Sequence, residues 1–243
     1  MHALPPDLLC PADVAASAPM TVVVLAPHPD DFDAIGITIR MLQAQGHAIH
    51  VAVLTTGANG VDEGWHGASG PLARAALREA EQRESCRFFG LPAERLAFLR
   101  LWGDAQDNPS DEASQDEALR QYLCTRRPQL VFLPHGNDSN RTHRRTWAAF
   151  HSIATLDGMR LRACLNLDAK TLSFRADLHV CFDEDEATWK RQLLRFHQSQ
   201  QERNLLARGV GFDERVLAVN RDAATRAGAD TPYAEAFEVR DYG

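Results

Sequence analysis

The chain has 243 residues, 44% of them hydrophobic and 24% charged, which suits one large α/β domain with a sizeable core. A formal net charge of −7, with basic residues clustered only as pairs such as Arg126-Arg127 and Arg144-Arg145, argues against a nucleic-acid surface. Five cysteines without a C-x-x-C pair exclude a disulfide framework, and no uncharged apolar run is long enough to span a bilayer. Met1–Pro19 also lacks the basic and apolar regions of a leader, so a soluble cytoplasmic protein with reduced thiols is expected.

Residues 1–20 mix Pro5-Pro6, Pro11 and Pro19 with small residues and read as an N-terminal arm, lying over the surface or on a neighbouring subunit. Residues 21–243 read as the domain. Thr21-Val22-Val23-Val24 is a buried strand that turns, through Leu25-Ala26-Pro27-His28-Pro29-Asp30-Asp31, into a helix over 34–42. In open α/β sheets this turn is where ligands bind. His28 and an aspartate can hold a divalent metal there, and the other aspartate can act as a base; one aspartate alone would be explained as a helix cap. Gly46 closes the helix and 48–54 form a second strand, implying a right-handed parallel crossover. Thr55 to Gly60 then lies on the same rim. Its glycines do not spell G-x-G-x-x-G, which counts against a dinucleotide site.

A helix is expected over 71–89, with Arg78, Glu79, Glu81, Arg83 and Glu84 forming a solvated, internally paired face. A short strand at 96–99, an acidic rim loop from Gly103 to Gln115 and a helix over 117–125 follow. Residues 128–134 make a fourth buried strand ending in His135-Gly136-Asn137-Asp138-Ser139-Asn140-Arg141-Thr142-His143, a second polar cluster on the same rim. Asn140 or Thr142 is placed to cap the next helix. The alternation over 171–182 suggests an edge strand. Asp183-Glu184-Asp185-Glu186 opens a long helix running through His197 to Leu205, its acids suited to a first turn.

Ala26-Pro27-His28-Pro29-Asp30-Asp31 resembles the signature of the zinc-dependent N-deacetylases of the PIG-L or LmbE-like family, which remove acetyl groups from N-acetylglucosamine conjugates. Arg78-Glu79-Ala80-Glu81 is similar to that family's Arg-x-x-Glu, His197-Gln198-Ser199-Gln200 to its His-x-Ser-Gln, and Tyr233 to Phe237 to its closing segment. The resemblance implies a Rossmann-like, mostly parallel sheet flanked by helices in a single domain. It implies Zn2+ on His28, Asp31 and His143, and Asp30 as general base on a zinc-bound water. It further implies Arg78 in substrate binding, a small N-acetyl amino sugar or conjugate as substrate, and a homo-oligomer.

The chain departs from the family where His-x-Asp-His is usual: it reads Asn140-Arg141-Thr142-His143. Asn140 can donate to an oxyanion but cannot shuttle protons. Asp138, His135 or Asp30 must then protonate the leaving amine, with Asp138 the first choice. Phe32 also stands where an acid is common, and the adjacent Asp33 is the available substitute. The competing reading is a metal-binding carbohydrate-recognition protein that lost turnover with that histidine.

Overall fold

A computed structural model describes residues 7–9, 19–103 and 113–243. Eight strands make one sheet in the order β1-β7-β8-β6-β5-β2-β3-β4. They are β1 (Asp7–Leu9), β2 (Thr21–Ala26), β3 (Ala48–Val53), β4 (Leu96–Phe98), β5 (Leu130–Pro134), β6 (Leu161–Asn166), β7 (Leu178–Phe182) and β8 (Tyr233–Tyr242). All pairings are parallel except those of β8, which runs antiparallel between β6 and β7. The helices are α1 (Gly36–Ala44), α2 (Gly70–Phe89), α3 (Ala113–Arg126), α4 (Arg141–Leu156), α5 (Glu184–Leu194), α6 (Gln198–Arg208) and α7 (Phe212–Ala227).

The β-branched run of β2 explains its place at the centre. Val22, Val24 and Ala26 enter a core with Phe32, Ile37, Ile49, Phe132 and Leu193, while Val23 and Leu25 enter a second core with Leu119, Val131, Leu133 and Phe150. Alternate side chains of one strand thus reach opposite faces, and helices must cover both. Each fully buried aliphatic or aromatic side chain contributes about 1.5–3 kcal/mol relative to exposure.

Sheet order decides where a ligand binds. From β2 the chain moves outward through β3 to β4, then returns to the other side of β2 as β5. The strand order therefore reverses at the carboxyl ends of β2 and β5, where open α/β sheets leave a crevice. Both polar clusters anticipated in the sequence lie at this point.

Several expectations need correction. The long helix through His197 is two helices: α5 ends at Leu194 and His197 is the N-cap residue of α6, with φ −84° and ψ 65°. The turn lets the His197 ring reach Asp33, with Nε2 2.8 Å from Oδ2. The strand at 171–182 begins only at Leu178, and it is not at the edge, because β1 pairs beyond it. That edge strand is the described part of the expected arm; residues 1–6 and 10–18 lie outside the described residues, as does most of the acidic loop. On α2 the expected solvated face holds only for Arg83 and Glu84, which are exposed and paired along the helix. Leu72 is 81% exposed, whereas Arg78, Glu79, Glu81 and Gln82 are buried. The reason is a network of partners described below, which outweighs simple amphipathic placement. Among the described residues Cys86, Cys164 and Cys181 are buried thiols and Cys124 is exposed, and no helix is long and apolar enough to cross a membrane.

Candidate active site

A cavity of about 360 Å³ opens at the switch point, and His28, Asp30, Asp31, Arg78, Asn140 and Asp168 are among the residues lining it. His28 and Asp31 come from the turn after β2. The His28 backbone N–H donates to Asp31 Oδ2 at 2.8 Å, and His28 Nδ1 lies 3.0 Å from the same oxygen. His143, on the first turn of α4, reaches them from the β5 side, its Nε2 standing 3.6 Å from Asp31 Oδ1. The two imidazole rings are 5.4 Å apart. Ligand atoms of His28, Asp31 and His143 all lie within 4.8 Å of one another.

The electrostatics of this triad are tightly coupled. Burial would raise the Asp31 carboxyl, but the neighbouring His143 and His28 overcome it and hold that group well below the usual carboxylate range. Burial works against charge on His143 too, yet Asp31 and Asp138 push its pKa up to about 10. His143 Nδ1 donates to Asp138 Oδ2 at 3.1 Å, while Nε2 is buried with no hydrogen-bond partner among the described residues. An imidazole anchored by a carboxylate at one nitrogen and left open at the other is arranged as a metal ligand is. Two histidines and one aspartate are also a donor set that catalytic zinc sites use, with a further position open. The residues therefore fit a divalent metal.

Asp30 sits beside the triad at φ 114°, outside the conformations favoured by residues with a Cβ. Such strain costs on the order of 1–3 kcal/mol and persists where the surroundings over-determine it. Here they do. The Asp30 N–H donates to Gln82 Oε1 at 2.9 Å, and Arg78 Nη2 donates to Asp30 Oδ2 at 3.0 Å and to the Pro29 carbonyl. Arg78 is 2% exposed and pairs also with Glu81 at 3.7 Å, whose carboxylate accepts from Ser199. Gly57, at φ 66°, allows this approach, since a Cβ there would fall 2.9 Å from Pro29 Cδ and 3.2 Å from Arg78 Nε.

Asn140 is the N-cap of α4, its Oδ1 accepting from Thr142 N–H at 2.9 Å. The cap uses the oxygen, and Asn140 is among the residues lining the cavity. The expectation for Asp138 does not fit its position. It is 1% exposed and absent from the cavity lining, with Oδ1 on Asn140 N–H at 2.6 Å and Oδ2 on His143. Burial would raise its pKa, but the bond from His143 leads the opposing contributions and holds it low. An ionised carboxylate behind a histidine is placed to orient that histidine, not to give up a proton. His135 is also engaged elsewhere: Nδ1 accepts from Asn137 N–H, and Nε2 faces Glu238 at 3.2 Å.

Residues outside the anticipated set complete the site. Gln82 bridges Asp30 and Asp33, donating to Asp33 Oδ2 at 3.0 Å, so Asp33 serves Gln82 and His197. Phe32 packs against Phe89 in the core. Gln82 lies one helical turn after Arg78, a spacing that could have flagged it. Asp168, after β6, lines the cavity with its pKa raised by burial against the pull of His143 and Lys170. No local pattern marked it.

The sequence pattern of the family described as GlcNAc-PI de-N-acetylase (PIG-L) matches residues 23–154, more than half of the chain, from within β2 through most of α4. The chain belongs to the PIG-L family. Among solved structures, this PIG-L protein is similar to an N,N'-diacetylchitobiose deacetylase from Pyrococcus horikoshii, at 20% identity over 91% of this chain and 84% of that one, TM-score 0.74. It is similar to the A40926 pseudoaglycone deacetylase at 18% identity, 93% and 99% coverage and TM-score 0.67. A 4-carboxy-2-hydroxymuconate hydratase from Pseudomonas putida matches at 18% identity, 91% and 96% coverage and TM-score 0.68. At such identities the likeness is one of fold. A putative glucosamine-6-phosphate deaminase-like protein of Bacteroides thetaiotaomicron is 25% identical over 82% of this chain, which spans only 38% of that relative's length.

Proposed function

We propose that this PIG-L protein removes an acetyl group from an N-acetylated amino sugar or its conjugate with Zn2+ held by His28, Asp31 and His143, acting in the cytoplasm. The observation that carries the reading is the buried His143 Nε2, without a hydrogen bond among the described residues and 3.6 Å from Asp31, beside His28, with Asp30 braced next to them on one cavity. A bound divalent ion at such a position acidifies water and polarises an acyl oxygen.

The chain's own groups supply the rest. Asp30 takes the proton of the attacking water, whose oxygen bonds to the acyl carbon. Arg78, held against Asp30, keeps that carboxylate aimed and lines the cavity that would take the substrate. The Asn140 amide donates to the oxygen that gains charge. As the C–N bond breaks, Asp30 returns the proton to the leaving nitrogen, so that acetate and a free amine are the products. Asp138 keeps His143 oriented. Family membership and a fold shared with deacetylases support this reading.

Asn140 in place of the usual histidine favours a second reading, a carbohydrate-binding protein without turnover. Acetate release from N-acetylglucosamine and its conjugates, measured before and after metal removal, separates the two. Metal-dependent release establishes the first. Metal-dependent sugar binding with no acetate establishes the second.

A further inference from the structure

We propose that the cavity selects a substrate bearing an anionic group, a phosphate or a carboxylate, which Arg215 of α7 and Arg203 of α6 bind on the wall they form. The inference rests on the deacetylase reading for what happens at the acyl group, but the anion site stands on its own residues.

Among the described residues, six basic side chains line the cavity, Arg78, Arg141, Arg145, Lys170, Arg203 and Arg215, against the three acids Asp30, Asp31 and Asp168. Arg78 is satisfied by Asp30 and Glu81, and Arg145 by Asp116. Arg203, Arg215 and Lys170 form no ion pair among the described residues. An exposed arginine such as Arg203 is by itself ordinary surface. Arg215 is not ordinary: it is half-buried, and Asn204 Oδ1 accepts from its Nη1 at 2.6 Å. Asn204 is in turn fixed by donating to the Gln200 carbonyl at 2.7 Å.

A guanidinium held by a neutral amide, with Asp168 and Asp30 near it but no direct ion pair among the described residues, keeps a half-buried charge that a ligand can meet. Burial, and after it the nearby Arg208, lower its pKa against the pull of Asp168 and Asp30, so these carboxylates offset only part of the cost of its charge and an anion would relieve the rest. Because the side chain is held in advance, little ordering entropy is lost on binding. Arginine's planar fork also matches phosphate and carboxylate oxygens better than a lysine does. Both arginines lie outside residues 23–154, so the family-wide match does not account for them. They share one small cavity with Asp30, which places the anion on the same molecule as the acyl group.

The test compares acetate release from N-acetylglucosamine with release from its 1- and 6-phosphates and from N-acetylmuramic acid, the last carrying a carboxylate. Calorimetric binding of glucosamine and glucosamine 6-phosphate runs in parallel, since it needs no turnover. At least one anionic compound should exceed the neutral sugar by roughly ten- to a hundredfold in kcat/KM, as expected of a charge-assisted contact. The compound that does so identifies the anion. Arg215→Gln should cut the anionic-to-neutral ratio about tenfold, with Arg203→Gln as the variant to use if the first does not fold. Arg226→Gln, on an exposed face away from the cavity, should leave the ratio as it is. Binding of glucosamine 6-phosphate that depends on Arg215, without any acetate release, keeps the anion site and removes the deacetylase reading. Equal turnover of neutral and anionic compounds, or anion binding indifferent to both arginines, overturns the proposal.

Discussion

Asp138→Asn distinguishes a carboxylate that orients a ligand from one that donates a proton. The substitution keeps the side-chain volume and one acceptor oxygen for the Asn140 N–H, but removes the charge facing His143. The carboxylate is 1% exposed, so its 3.1 Å contact with His143 Nδ1 is a charge-assisted bond away from water. Such bonds are worth about 1.5–3 kcal/mol. Losing the orienting partner of a metal-bound histidine typically costs roughly ten- to a hundredfold in metal affinity, about 1.4–2.8 kcal/mol, and the two figures agree. Zinc affinity is read by competition with a chelating dye, and kcat is followed across pH at saturating zinc. The expected result is a ten- to hundredfold weaker site whose turnover is mostly restored by excess metal. Wild-type affinity, with kcat collapsed at saturating zinc and the basic limb of the pH profile erased, would refute the reasoning and return Asp138 to the role of proton donor.

Asp30→Asn should keep the metal, counted by elemental analysis, while kcat falls on the order of a hundred- to ten-thousandfold, the usual loss of a general base; near-normal turnover would reduce Asp30 to a strained turn residue. Asn140→Ala should lower kcat by roughly ten- to a thousandfold through loss of an oxyanion donor, and because it also removes the α4 cap, the melting temperature is recorded beside it to separate the two effects. The metal-free protein should lose stability as pH rises from about 6.5 toward 10. His143 holds in the fold a proton that the unfolded chain releases near its ordinary 6.5, so its contribution is full below that value and gone above about 10. Thermal melts of metal-free wild type and His143→Gln test this, and a slope unchanged by the substitution speaks against it. A homo-oligomer is expected as well, and light scattering that gives 27.0 kDa at micromolar concentration counts against it.

Much of the fold and the nucleus of the site were legible because they are local. Residues 22–26 are continuously apolar, so the sequence alone determined a strand buried on both faces, and the His28 to Asp31 run is held by bonds between residues three apart. The same is true of the Asn140 cap and the acidic first turn of α5. What stayed hidden depends on partners distant in the chain. Arg78, Glu81 and Gln82 look like a solvated helix face until Asp30 and Ser199, 48 and 118 residues away respectively from Arg78 and Glu81, supply their bonds. Asp138 is the local exception, a rim carboxylate in the sequence until the first turn of α4 brings His143, five residues on, onto it. Asp168 and Arg215 follow no pattern in the sequence, since only the return of the chain across β2 brings the ends of β6 and α7 to the cavity. Periodicity reports which face of an element is apolar; it carries no information about a polar residue whose solvent is replaced by a partner from another part of the fold, and that exchange is decided by tertiary structure.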